Sequence, residues 1–175
     1  MALQFNKHAD EDGDPIEWVT VVALRKREQN GRVEYLQQGA ARVDDEGNYS
    51  IKDLPPGNYQ LLATGGPIAA PGKIFPPTFY PNANTIRIAK TIRVRSGDNL
   101  SAMNIFMYGT KAHSLKGRLI APTGDETKMY SVRLLPRDTP GSLLGLVNPE
   151  VRYRSSTGGF EAPSIPSGKI RSLMK

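Results

Sequence analysis

The stretch DDEGNYSIKDLPPGNYQLLATG, from Asp44 to Gly65, leaves this chain few choices of architecture. Asp45-Glu46-Gly47 is a turn in which Gly47 is free to take a positive φ. Tyr49 and Ile51 then alternate with Ser50 and Lys52, the period-2 pattern of a half-buried strand. Pro55-Pro56-Gly57 is a second turn, fixed in φ by proline and released by glycine. Tyr59, Leu61 and Ala63 alternate again as a second strand. A turn, a short strand, a turn and a longer strand make a hairpin-like unit of an antiparallel β-sandwich.

The rest of the chain reads the same way. Residues 3 to 8 are an opening strand, and residues 10 to 15 (DEDGDP) a turn. Ile16 to Arg25, with Val19, Thr20, Val21 and Val22, is a buried strand. Asn30-Gly31 is a strong hairpin signal, and Val33 to Val43 is the returning strand, interrupted at Gly39. Residues 65 to 84 form a loop of about 20 residues, longer than most connections and rich in proline and glycine. Strand pattern resumes at Thr91 to Arg95. Met103, Ile105 and Met107 then alternate with Asn104 and Phe106 in a further strand.

Composition narrows the class. Hydrophobic content of 38% and charged content of 23% belong to a foldable chain rather than a disordered one. No apolar run is long enough to cross a bilayer as a helix. The absence of cysteine removes disulfides, zinc thiolates and a cysteine nucleophile. The opening MALQFNKHADEDGD has no basic and then apolar region, so no signal peptide is read there. The net charge of +6 is concentrated at Arg87, Lys90, Arg93 and Arg95. Ile92 and Val94 alternate with Arg93 and Arg95, so this patch is the wet face of a strand. It lacks the interleaved aromatics of a single-strand nucleic-acid platform, and no nucleic-acid partner is expected.

Residues 112 to 175 restart the pattern. Shifting the chain by 111 positions places Val21 on Val132, Leu24 on Leu135, Gly47 on Gly158 and Tyr49 on Phe160. The same shift places Leu54 on Ile165, Pro55 on Pro166 and Gly57 on Gly168. These positions are turns and inward-facing residues, which a sandwich fixes. The fold expected is all-β, a tandem of antiparallel β-sandwich modules of immunoglobulin-like or prealbumin-like type. The first covers residues 1–110. The second, 111–175, is truncated: Lys169 to Lys175 lacks the alternation of Tyr59 to Ala63, so its closing strands are missing and an edge is left open.

Asp12 to Pro15, Asp44 to Tyr49 and Leu54 to Leu61 together resemble the carboxypeptidase regulatory-like domain, of the prealbumin-like and collagen-adhesin B-type group. The FYPNANTIRIAKTIRVRSGDNLSAMNIFM segment is similar to the tail of bacterial versions. The resemblance covers residues 3 to 108 and, in part, 112 to 172; Asn6 departs from it, standing where the second copy has Gly117. It implies a seven-stranded sandwich, one of several domains in an exported or cell-envelope protein, without catalytic residues of its own.

Candidate sites are few. His8 and His113 stand in no zinc-peptidase spacing, and Asp10, Glu11, Asp12 and Asp14 fail the EF-hand pattern at His8 and Val19. The Ser155-Ser156-Thr157-Gly158 run has no nucleophile-elbow spacing. No cofactor, metal or catalytic residue is nominated. Phe75, Phe79 and Tyr80, held among Pro76, Pro77 and Pro81, form the one candidate ligand platform, suited to stacking on a sugar or a peptide. The plainer alternative is that Phe79 and Tyr80 cover one end of the sandwich. Trp18, beside the valine-rich strand, is read as core. The function expected is that of a non-catalytic spacer, scaffold or accessory module of a larger extracytoplasmic bacterial protein, whose partners are neighbouring domains. The alternative is a carbohydrate- or peptide-binding module using residues 74–81.

Overall fold

The computed structural model describes residues 2–5, 16, 18–65, 72–120, 131–136, 139–147, 149–167 and 170–174. His8, Asn6 and the acidic residues 10–14 lie outside these. In chain order the strands are β1 (Ala2–Phe5), β2 (Val19–Gln29), β3 (Arg32–Arg42), β4 (Tyr49–Lys52), β5 (Gly57–Gly65), β6 (Lys73–Ile74) and β7 (Thr78–Phe79). There follow β8 (Ile92–Val94), β9 (Thr110–Lys111), β10 (His113–Arg118), β11 (Val132–Pro136), β12 (Arg152–Arg154), β13 (Gly159–Ile165) and β14 (Ile170–Met174). Among the described residues, helix is confined to 3-10 turns at Ile86–Ile88 and Gly141–Leu143 and to the single-turn α1 (Leu144–Val147). Among the described residues, no helix is long and apolar enough to cross a membrane.

The chain is mostly β, and its sheets are antiparallel. Asn30 and Gly31 both take positive φ, +52° and +70°, the geometry of a two-residue hairpin turn whose twist matches its strands. β3 therefore folds straight back on β2, from Gln29↔Arg32 to Thr20↔Arg42. The interruption expected at Gly39 is a register shift: Ala23 faces Gly39 but Leu24 faces Gln37, which leaves Gln38 bulged. Gly39 is required there, since a Cβ would stand 2.7 Å from Ile51 Cγ2.

The Asp44–Gly65 unit is not a hairpin. Asp44 does close its turn, accepting from the Asn48 N–H at Oδ1 while its own N–H donates to the Asn48 carbonyl. But β4 pairs with β1, whereas β5 pairs with β2 on one edge and with β7 and β8 on the other. The Pro55-Pro56 turn carries the chain from one sheet to the other, and two residues without an N–H cannot continue a ladder between the strands they join. The Tyr59 hydroxyl donates to the Pro55 carbonyl at 2.7 Å and braces this crossover. Tyr49 and Ile51 then meet Val21, Ala23, Tyr59 and Leu61 in one buried cluster, which Ile105 and Met107 complete. Ile105 and Met107 keep their expected inward alternation, yet residues 101–105 and 107–109 run outside any strand ladder.

β2 from Val19 to Leu24 and β5 from Leu61 to Ala63 are covered on both faces, which accounts for the unbroken Val19-Thr20-Val21-Val22 run, while Arg25 to Gln29 of β2 are exposed. Val22, Leu24 and Leu62 point away from the first cluster into a second one, with Phe79 and Ile86. Leu135, Leu143 and Val147 from the second half of the chain complete that cluster. Side chains pin the contact at its margins: the Tyr35 N–H donates to Ser142 Oγ at 3.0 Å, and Thr64 Oγ1 donates to the Leu146 carbonyl at 2.7 Å.

Two strand pairs of the second half correspond to pairs of the first, but β12 pairs with β13, whereas Arg42 of β3, 110 to 112 residues before it, pairs with β2. β10 lies on β13 as β1 lies on β4, one residue out of step beyond a bulge near His113. β11 lies on β14 with no such slip: Val21 faces Ala63, and 111 residues further on Val132 faces Met174. Lys169 to Lys175 was expected to lack a closing strand, but Ile170–Met174 is one. Its sequence, IRSLM, does not alternate polar with apolar residues, so period 2 does not mark it. Gly117 lies under the Phe160 ring, so close that any Cβ would collide with it.

Candidate functional site

The loop after β5 carries the residues singled out as a ligand platform. Thr78 and Phe79 add a short strand to the edge of β5, opposite Ala63 and Leu62. Phe79 and Ala83 exchange both backbone hydrogen bonds at 2.7 Å, which closes the turn between them. The Tyr80 N–H donates to the Leu61 carbonyl, the Lys90 N–H to the Tyr80 carbonyl, and the Phe106 N–H to the Pro81 carbonyl. The loop is thus tied to three separate parts of the chain.

Consecutive strand residues point to opposite faces, and this separates the three rings. Phe79, 4% exposed, enters the second cluster beside Leu62 and Ile86. Tyr80 and Phe75 are half-buried against the first cluster, on the other side of the sheet. The structure does not bring Phe75, Phe79 and Tyr80 to one surface. Phe79 has no open face for a ligand to stack on. Tyr80 keeps a polar margin, with the Lys90 ammonium 5.9 Å from its ring centroid.

Beneath Tyr80 lies Tyr49, whose hydroxyl donates to the Met103 carbonyl at 3.0 Å. Burial first, and then the neighbouring Tyr80, push this hydroxyl far above the ordinary tyrosine range. Tyr49 is therefore a neutral hydrogen-bond donor that ties β4 to the 100–109 segment, and it is not a proton carrier. Burial also raises Tyr35, which lies beside the second cluster.

Outward-facing aromatics occur elsewhere, and the sequence reading passed over them. Phe106 and Tyr108, 42% and 52% exposed, alternate with the fully buried Ile105 and Met107. The signal was available in that alternation, which leaves two rings on the wet side. Trp18 is a correction. It is 61% exposed rather than core, at φ +62°, with the Arg42 guanidinium 4.9 Å from its ring centroid. The chain turns sharply into β2 at this point, so the indole is swung out while Val19 takes the inward position. Gly65 makes the opposing corner, where a Cβ would lie 2.8 Å from the Trp18 carbonyl oxygen.

Polar chemistry on the second half is shallow. His113 Nε2 and Ser167 Oγ lie 3.0 Å apart, both exposed. Ser155 to Gly158 is the turn before β13, with Gly158 at φ +67°. Lys116 pairs with Glu161 at 3.2 Å and Arg152 with Glu150 at 2.9 Å, all of them wet. The hydrogen bond that Arg152 donates to the Glu150 carboxylate, and the charge of that carboxylate, raise the guanidinium above its ordinary value. Arg93 and Arg95 lie exposed on and just after β8, between and beyond the buried Ile92 and Val94, as their alternation required. Among the described residues, no three of His, Asp and Glu stand close enough to hold a metal ion.

No family model matches the sequence, and no curated protein does. Among solved structures, the chain is similar to the Bacillus anthracis TIE protein, with 14% identity and a TM-score of 0.40. The match covers 99% of this chain and 28% of that one, so this chain spans little more than a quarter of its length.

Proposed function

We propose that the chain is a non-catalytic pair of β-sandwich modules, residues 1–110 and 111–175, serving as a rigid spacer or scaffold within a larger exported bacterial protein. The observation that carries this reading is the repeated strand pairing. β11 and β14 meet in the register that a shift of 111 residues carries over from β2 and β5. Gly47 and Gly158, equivalent under the same shift, both take positive φ at the turn before the next strand. The resemblance of Asp44 to Tyr49 and Leu54 to Leu61 to the carboxypeptidase regulatory-like domain supports the sandwich architecture and the exported setting.

The second module packs on the outer face of the first through Leu135, Leu143 and Val147. Each such side chain contributes about 1.5–3 kcal/mol when fully buried, enough in sum to hold two small modules in one orientation. A fixed orientation is what a spacer needs and what a flexible tether does not supply. Backbone 15N relaxation tests this: residues 18–65 and 131–165 share one rotational correlation time if the pair is rigid. Two distinct times would contradict it. The flanking reading frame tests the setting, where an in-frame export signal and further domains are expected and a free-standing frame would count against the proposal.

A second reading, binding of a carbohydrate or peptide, is favoured by one observation. Phe106 and Tyr108 present open rings next to the 74–81 loop, to which the Phe106 N–H is bonded through Pro81 at 2.8 Å. Affinity-gel retention on polysaccharides that falls in Phe106→Ala and Tyr108→Ala would support it. Equal mobility of wild type and both variants on every polysaccharide would remove it.

A further inference from the structure

The outer face of the β2–β5–β8 sheet is covered along part of its length only. Val22, Leu24 and Leu62 pack there with Leu143 and Val147 of the second half and with Ile86. Gln60 holds the 3-10 turn Ile86–Ile88 on the same face, its Nε2 donating to the Ile86 and Ala89 carbonyls at 3.0 and 3.2 Å. One row towards the Asn30-Gly31 turn, the side chains become exposed. Arg25 faces Tyr59, Tyr35 faces Lys26 and Asn58 faces Arg93. Lys26, Asn58 and Arg93 therefore share the next row across the sheet, and each is exposed. Alternation puts all three on the outer face, because Arg25's partner Tyr59 and the flanking Ile92 and Val94 turn inward to the first cluster.

This ledge is basic. Lys26 and Arg93 stand two strands apart, about 10 Å, and Arg95 lies about 7 Å beyond Arg93 on the same side. Arg87 is exposed on the 3-10 turn beside them. Among the described residues, none of the four is paired with a carboxylate. Asp98 accepts from the Arg95 N–H, not from its guanidinium, at 2.8 Å, and Lys90 turns away to the Tyr80 ring. Glu28, two residues past Lys26, brings one carboxylate to the far end of the same face. Cations fixed by strands and left unpaired hold a positive potential that an external polyanion relieves. We infer that the ledge binds a linear acidic polysaccharide, whose anionic groups meet Lys26, Arg93, Arg95 and Arg87. The 3-10 turn and the residues around Leu143 stand beside the floor, which admits a single chain and holds off a flat bilayer. Asn58 offers an amide to sugar hydroxyls, whereas stacked bases would need open rings.

The probe is polygalacturonate, a linear polycarboxylate, in affinity electrophoresis of the full chain, with dextran as the neutral control. Retardation by polygalacturonate alone is expected at low salt, fading by about 0.5 M, where exposed charges are screened. Lys26→Gln/Arg93→Gln/Arg95→Gln should bind about ten-fold more weakly, through the loss of three exposed ion pairs. Lys111→Gln/Arg133→Gln/Arg154→Gln removes the same charge from exposed positions elsewhere and should bind within about two-fold of wild type. Glu28→Gln should tighten binding by about two-fold. Equal weakening in the two triple variants would refute the ledge, leaving net charge alone as the cause. No retardation at low salt would refute it as well. So would tighter binding to phosphatidylglycerol vesicles or to a thymidine oligonucleotide than to polygalacturonate. Phe106→Ala and Tyr108→Ala should leave retardation unchanged, and its loss there would place the polymer on the other surface. If the first triple variant does not fold, Glu28→Gln decides: unchanged or weaker binding refutes the ledge.

Discussion

Leu143 should be the most revealing single truncation in the chain. It has no exposed surface, and it lies in the cluster where the outer face of β2 and β5 meets the second half. Leu143→Ala removes three carbons from that contact. Opposite walls of the cavity, Val22, Leu24 and Leu62, belong to strands held by ladders on both sides, so they cannot collapse inward. The cost is therefore about 2–4 kcal/mol, from the transfer of the lost methyl groups and the cavity they leave. With an m-value of roughly 2 kcal/mol per molar urea, the midpoint falls by about 1–2 M. Ile120→Ala, at a side chain 85% exposed, is the control and should move the midpoint by less than about 0.3 M. Hydrogen exchange adds the location: loss of protection should appear on both sides of the contact, in β2 and β5 as well as β11. A Leu143→Ala midpoint within about 0.3 M of wild type would refute the shared cluster.

Other consequences are local. Gly39→Ala places a methyl group against Ile51 and Leu54 and should cost about 1–3 kcal/mol in a urea titration; an unchanged midpoint would mean that β4 does not lie over the bulge. The Tyr49 hydroxyl holds its proton more tightly folded than unfolded, so its contribution is complete below pH 10.0, the ordinary tyrosine value, and is lost as pH rises above it. Stability should therefore fall progressively as pH rises above 10, and Tyr49→Phe should flatten that fall while losing about 1 kcal/mol at neutral pH with the bond to Met103. An identical pH slope in the variant would contradict the burial of that hydroxyl. Trp18 fluorescence should be quenched by iodide in the native chain almost as readily as in urea, whereas strong shielding would restore the core assignment.

The legible part of the fold was its punctuation. Asn30-Gly31, Asp44 to Gly47 and Pro55-Pro56-Gly57 each have backbone requirements that few other residues meet, and each turn lies where those residues put it. Partnership between strands was less legible. Tyr49 to Lys52 and Tyr59 to Ala63 alternate in the same way whether they pair with each other or face one another across a core. Only the missing N–H groups of Pro55 and Pro56 argue for the latter. Trp18 was misread because its burial depends on one φ angle, at a residue whose size otherwise favours the interior. Phe79 and Tyr80 look like one platform in sequence, but adjacent positions on a strand cannot share a face. Ile170 to Met174 hid as a strand because its polar and apolar residues do not alternate, while the repeat of Val21, Leu24 and Gly47 at 132, 135 and 158 pointed to its neighbours.

The repeat of register is the central claim, and a cysteine cross-link tests it most directly. The chain has no cysteine of its own, so an introduced pair reports without background. Val132 and Met174 are direct partners, whereas Val132 and Leu173 are one residue out of step and present opposite faces. The doubly substituted Val132→Cys/Met174→Cys chain should form an intramolecular disulfide on mild oxidation, and Val132→Cys/Leu173→Cys should not. Cross-linking in the displaced pair, or in neither, would show that β11 and β14 do not repeat the pairing of β2 and β5.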